Sequence, residues 1–313
     1  METKFATKED IPDIVNLLKM SLGESLMPKS VEYWTWKHIN NPFGESPVLL
    51  AIENNQIIGV RAFMRWQWRK EGKIYRAIRA VDTATHPEHQ GRGIFKKLTL
   101  ELLDECKKDG IDLVFNTPND KSKPGYLKMG WEEAGRLPVK VGFKRPFSMV
   151  LNKLKSNINA EFVPIDNGKF DVLKSIKQYS GGYRVYSNWK TDYSLEYLNW
   201  RYSDIPIIQY GGIGNDAALV IFRIKKGGLG KELRICDAFG ETGKVQGFVK
   251  QIYNKFKFDY ISIDGFSSQS FPSLMSKKLN NGPEVTVHAV NTDVEEFTNF
   301  GSWSPSLGDL EVF

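Results

Sequence analysis

A strand, a turn carrying two glycines and a helix follow one another in residues 78–109, and the fragment HPEHQGRGIFKKL at residues 86–98 holds the turn. Ile78, Ala80 and Ala84 read as the strand, Gly91 and Gly93 as the turn, and residues 93–109 as the helix. A helix that starts on such a turn leaves several backbone N–H groups without internal partners, and the positive end of its dipole points the same way. The result is a cradle for an anion. A side chain at either glycine would hold a ligand's phosphates off the amides, and Arg92 adds a fork of donors in the same turn. Two other phosphate loops are excluded. Ile94 and Phe95 stand where a P-loop needs Lys followed by Ser or Thr, and a dinucleotide fingerprint needs a third glycine beside Gly91 and Gly93.

The residues that follow narrow the reading. A short apolar strand at residues 113–116 leads through Thr117, Pro118 and Asn119 to PGYLKMGW at residues 124–131. With Gln90, Gly91, Arg92, Gly93, Ile94 and Phe95 in the loop, then Asn119, Tyr126, Gly130 and Trp131, the segment resembles the GNAT superfamily of acyl-CoA-dependent N-acyltransferases. Phe95 departs from the pattern, which prefers a small residue there; its ring either crowds the pyrophosphate or turns into the core. The resemblance implies acetyl-CoA, or a related acyl-CoA, as co-substrate. It places Gln90, Gly91, Arg92, Gly93, Ile94, Phe95 and Asn119 on that cofactor. It also implies that the strand splays near its end, so that the backbone at Thr83, Ala84 and Thr85 pairs with the pantetheine arm and polarises the thioester.

Such chemistry needs an acid and a base. The attacking ammonium must lose a proton and the departing thiolate must gain one. Tyr126 is the donor the resemblance implies, although a phenol near pKa ~10 gives a proton to a thiolate whose acid is near ~8.5 only with help from position and environment. The alternative is a core tyrosine on a short helix. For the base, Asp82 lies on the same strand among apolar and small neighbours, where burial would raise its pKa; a solvated or salt-bridged carboxylate is the other reading. His86 before Pro87 suits a turn cap, a water chain can serve in place of a carboxylate, and the C-terminal carboxylate of Phe313 is a further candidate.

The rest of the chain sets the frame. Ile11, Ile14, Leu17, Leu18 and Leu22 recur at helical spacing, and a second helix at residues 31–40 carries Tyr33, Trp34 and Trp36, suited to packing or to lining an acceptor pocket. Turns at Asn54–Asn55 and at Glu71–Gly72 join three antiparallel strands that feed the glycine loop. SVEYWTWKHINNP at residues 30–42 is echoed without gaps by SLEYLNWRYSDIP at residues 194–206, and the elements after each copy repeat in order, so the chain reads as an internal duplication. The second copy lacks the GxG loop and the tyrosine. The expected fold is therefore α/β (α+β): a GNAT-like catalytic domain at residues 1–145, a linker at 146–159 and a degenerate GNAT-like domain at 160–313, each a mixed, mostly antiparallel twisted sheet flanked by helices.

Composition bounds the setting. At 313 residues, 41% hydrophobic and 26% charged, the chain has room for two domains. No run approaches the ~18 apolar residues of a membrane span, and the charged N-terminus shows no secretory signal. Cys106 and Cys236 make no disulfide framework, so a reducing cytoplasm is the expected home. The net charge of +6 is spread out, suiting a solvated surface or the attraction of an anionic cofactor better than nucleic acid. Four histidines without paired spacing give a zinc site no support, and no GxSxG elbow is present. The expected activity is acyl transfer from CoA to a primary amine, with a small-molecule acceptor such as an amino sugar. A non-catalytic CoA-binding protein is one rival. The other is an aminoacyl-tRNA-dependent transferase of the tandem type, a group that generally lacks the glycine loop. Oligomeric state is left open.

Overall fold

The computed structural model describes residues 1–23, 27–154, 161–165, 168–181, 187–267, 276–293 and 295–310. The C-terminal carboxylate of Phe313 lies outside them. Among the described residues the strands form two mixed, mostly antiparallel sheets. The first runs in the order Glu2–Phe5, Val48–Glu53, Gln56–Lys70, Lys73–Thr85, Leu113–Asn116, Glu284–Ala289, Glu132–Arg136. The second runs Gly211–Gly214, Ala218–Gly227, Gly230–Gly240, Tyr260–Asp264, Val139–Phe143, Ser276–Leu279. The sheets exchange strands. Val139–Phe143 lies against Tyr260–Asp264 in the second sheet, while Glu284–Ala289 enters the first between Leu113–Asn116 and Glu132–Arg136.

Local chemistry accounts for the first sheet. Asn54 and Asn55 both take positive φ (51° and 59°), as do Glu71 and Gly72 (50° and 83°), and two such residues in a row match the twist of a tight hairpin. The helix Ile11–Leu22 buries Ile11, Ile14, Val15, Leu17 and Leu18 against the sheet, and its entry is held by Asp10, whose carboxylate accepts from the Thr7 N–H at 2.8 Å. The helix Ile94–Lys108 packs on the same sheet close to Gly59, where a Cβ would strike Ile94 Cγ2 at 2.6 Å. No helix among the described residues is long and apolar enough to cross a membrane.

The duplication is visible as a pseudo-twofold pair. Ser30 and Ser194 each cap a helical turn by accepting from the N–H three residues on, at 3.0 Å in both copies. Each turn then widens to an i→i+5 bond, Asn40 N–H to the Thr35 carbonyl at 2.9 Å and Asp204 N–H to that of Asn199 at 3.0 Å. Trp36 Nε1 donates to the Trp200 carbonyl at 2.7 Å and Trp200 Nε1 to that of Trp36 at 2.8 Å, with the two rings stacked 4.8 Å apart. A stacked pair is worth ~0.5–1.5 kcal/mol beyond its buried area. Trp34, Trp36 and Trp200 are thus core residues, the packing reading of the sequence. The largest core joins residues of both sheets through Trp36, Trp66, Trp68, Trp200 and Trp303.

The C-terminal turn Leu307–Leu310 closes onto this core and onto Gly230–Gly240. Tyr193 Oη donates toward Asp237 at 3.2 Å and toward Asp309 at 2.9 Å, and Tyr202 Oη bonds Asp237. Burial and the adjacent Asp309 carboxyl push Asp237 up to about 8, and burial pushes Asp309 up as well. The folded pair therefore holds a proton that the unfolded chain releases near pH ~4, so this site loses stability as pH rises from there toward the folded value. Asp237→Asn should flatten the fall in melting temperature between about pH 5 and pH 8.

Candidate active site

The strand Lys73–Thr85 pairs in parallel with Leu113–Asn116 only at Ala77, Ile78 and Arg79. Beyond Arg79 the two part, and residues 80–85 keep only their antiparallel partner Gln56–Lys70. The opening leads into a cavity of about 800 Å³. Thr83, Ala84 and Thr85 form one wall, Gln90, Gly91, Gly93, Ile94 and Phe95 close one end, and Asn119 and Tyr126 lie opposite. No strand pairs with the backbone of residues 80–85 on that side among the described residues, and the Thr85 carbonyl there is engaged by the Ser21 and Gln90 side chains.

The glycine turn meets its conformational need. Gly91 and Gly93 both sit at φ 77°, and a Cβ on either would meet no protein atom within 4 Å, so the space beside these amides is open. Gly93 precedes the first turn of Ile94–Lys108, whose early N–H groups face the cavity end. Gln90 Nε2 reaches the Thr85 carbonyl at 3.4 Å and ties turn to strand. Asn119 Oδ1 accepts from the N–H groups of Lys121 and Ser122 at 3.1 and 2.9 Å, shaping the entry to the helix Lys123–Lys128. His86 Nδ1 accepts from the Glu88 N–H at 3.3 Å, the turn cap expected of it.

Arg92 corrects the sequence expectation. It does not border the cavity: its guanidinium forks onto Glu53, 2.8 Å on each arm, and touches His89. Glu53, 39 residues away in sequence, satisfies the fork that the turn was expected to offer a phosphate. Phe95 takes the second of the two courses foreseen and packs against the core. Its half-buried ring stands edge-on to Tyr126, centroids 5.5 Å apart, and fills the space left by Gly125.

Asp82 differs from expectation in its electrostatics. It is the extra residue of a β-bulge, with Ala62 opposite Val81 and Arg61 opposite Thr83, and it takes φ 40°. Lys37 Nζ donates to its Oδ2 at 2.6 Å and His38 Nε2 lies 2.9 Å from the same oxygen, both from the helical segment of the first repeat. All three side chains are at least 93% buried by their exposures of 7%, 1% and 1%. Burial alone would raise the Asp82 carboxyl, but the Lys37 ammonium and the His38 ring outweigh it and hold the group far below the usual range. His38 is held neutral by its own burial, and its Nδ1 meets Ser46 Oγ at 2.9 Å. Asp82 is therefore an ionised, paired carboxylate at the cavity edge, with its pKa moved opposite to the direction foreseen.

Tyr126 is nearly buried, and its Oη accepts from Arg61 Nη1 at 2.8 Å. Sequence reasoning missed Lys37, His38 and Arg61. Two signals were available: Lys37 stands one helical turn after Tyr33 on an otherwise aromatic face and is matched by Arg201 in the repeat, and Arg61 interrupts the apolar strand at residues 57–64.

An opened parallel strand pair, bare amides at a helix start and a tyrosine on the same cavity are the arrangement that the GNAT resemblance implies. Residues 2–134 match the acetyltransferase (GNAT) domain model, so the N-terminal part of the chain carries a GNAT acetyltransferase domain. A stretch of 118 residues, 36% of this chain and 67% of the relative, is 28% identical to the L-methionine sulfoximine/L-methionine sulfone acetyltransferase of Salmonella typhimurium. Among solved structures, the GCN5-related N-acetyltransferase from Anabaena variabilis superposes with a TM-score of 0.62 at 16% identity, covering 93% of this chain and 73% of that one. Eis1 from Mycobacterium abscessus superposes with a TM-score of 0.57 at 10% identity, covering 93% and 74%. At these identities the two structures are similar in fold, and the similarity extends over both sheets.

Proposed function

We propose that this protein transfers an acetyl group from acetyl-CoA to the primary amine of a small molecule, in the cavity between the parted strands. The observation that carries the reading is the continuity of the open backbone at residues 80–85 with the bare amides of the glycine turn, ending at Tyr126. The amides from Gly91 to Phe95 would hold the diphosphate and residues 83–85 the pantetheine arm. Gly91 and Gly93 fit that group, since the space a Cβ would take at each is empty. Acetyl-CoA supplies the activated acyl carbon.

The chain's own residues then manage two protons. As the amine nitrogen bonds the acyl carbon and the carbon–sulfur bond breaks, Tyr126 gives its proton to the sulfur. Asp82, held ionised by Lys37 and His38, attracts the acceptor's ammonium to the cavity edge, where the proton passes to water rather than to this carboxylate. The acceptor fits the class of small amino-acid-like amines, which the acetylation of methionine sulfoximine and sulfone by the Salmonella relative supports. A degenerate second domain would then frame the acceptor side.

The test is thiol release from acetyl-CoA with a panel of amino acids, their derivatives and amino sugars. Tyr126→Phe should keep acetyl-CoA affinity and lower kcat by about 10²- to 10⁴-fold. Absence of amine-dependent thiol release, or equal turnover in the Phe variant, rejects the reading.

A further inference from the structure

Arg61 is completely buried beneath the cavity, in the strand Gln56–Lys70, and no carboxylate pairs with it among the described residues. Its Nη1 donates to Tyr126 Oη at 2.8 Å and also to Thr83 Oγ1. Nε and Nη2 have no partner. The guanidinium lies 4.5 Å from the Phe63 ring centroid, 5.3 Å from that of Tyr126 and 5.8 Å from that of Phe95. A buried cation without a counter-charge is costly, and an apolar side chain of similar volume would fill this space more favourably. The packing of the strand therefore does not explain an arginine here.

The hydroxyl it meets does. Arginine can only donate, so its bond occupies a lone pair of Tyr126 Oη and the phenolic proton must point elsewhere. No described residue accepts that proton, and Tyr126 borders the cavity. We propose that Arg61 is a positioning residue that aims the Tyr126 proton at the leaving sulfur and neutralises the phenolate left when the proton departs. The step balances: the O–H bond of Tyr126 breaks, an S–H bond forms on the thiolate, and the negative charge passes to the phenolate beside the guanidinium, which keeps all its protons. The proposal rests on Tyr126 being the acid.

Arg61→Met separates this role from a structural one. It should fold, melt no lower than the parent protein, bind acetyl-CoA with affinity changed by less than about threefold, and lose kcat by roughly tenfold to a hundredfold, within the range of general-acid effects. In a Tyr126→Phe background the same substitution should leave kcat unchanged, because the group it serves is gone. An Arg61→Met protein that fails to fold or melts much lower overturns the proposal, as does an equal loss of kcat in both backgrounds. Should Tyr126→Phe alone turn over like the parent, the acid reading falls and Arg61's role with it. A slow Phe variant with additive Arg61→Met removes only the present proposal.

Discussion

Asp82→Asn destabilises the protein by about 3–5 kcal/mol, the range found when one member of a buried ion pair is removed and the other stays behind. Lys37 is 1% exposed, and Asp82 is the carboxylate that meets its ammonium. The Tyr33 ring, 4.7 Å from Lys37 Nζ, offers only its face in compensation. His38 loses less, because a neutral imidazole can still donate to the amide oxygen of asparagine. The pH dependence has a definite sign. The folded carboxyl titrates below its unfolded value of about 3.9, so its contribution is complete above that pH and is lost as pH falls through the folded value. The parent protein should thus carry an acid-side loss of stability that the Asn variant lacks, while the two differ by a constant amount near neutrality. Adding Lys37→Met to Asp82→Asn should recover most of the loss, since no unpaired charge then remains. Thermal unfolding of the three proteins across pH measures this. A single Asn variant within about 1 kcal/mol of the parent would show that the pair is not the source of the stability.

What the sequence disclosed and what it withheld divide along contact range. Asn54–Asn55 and Glu71–Gly72 announce hairpins because the conformation they need is encoded in two adjacent residues. Gly91 and Gly93 announce an anion cradle for the same reason, and the repeat at residues 30–42 and 194–206 shows two similar units before any strand is paired. Distant partners carry no such signal. Arg92 reads as a ligand fork until Glu53 is found beside it, and Asp82 reads as a carboxyl raised by burial until a helix 45 residues earlier brings Lys37 and His38 to it. The exchange of Val139–Phe143 and Glu284–Ala289 between the sheets is of this kind too. A sheet's apolar face accepts any strand of the right alternation, so pattern alone does not say which sheet receives it.

Gly93→Glu abolishes measurable acetyl-CoA binding while leaving the fold intact. The position is at φ 77°, where a residue with a Cβ costs roughly 1–2 kcal/mol, and no protein atom obstructs the new side chain. Part of that strain is offset, because a carboxylate at a helix start gains about 0.3–1 kcal/mol from the dipole and the free amides. Those two favourable contacts are the reason binding fails. The glutamate oxygens accept from the N–H groups that would otherwise hold the diphosphate, and their charge repels it across a few ångströms. Gly93→Ala supplies the control, since it carries the same backbone strain without the anion and should weaken binding far less. Calorimetric titration should give a dissociation constant raised at least about a hundredfold for Glu, equivalent to roughly 2.7 kcal/mol, with the loss only partly relieved by salt because cradle occupancy is not a screened, long-range effect. Equal affinity in the parent and Glu proteins would mean that the diphosphate is held somewhere other than the turn between Gln90 and Phe95.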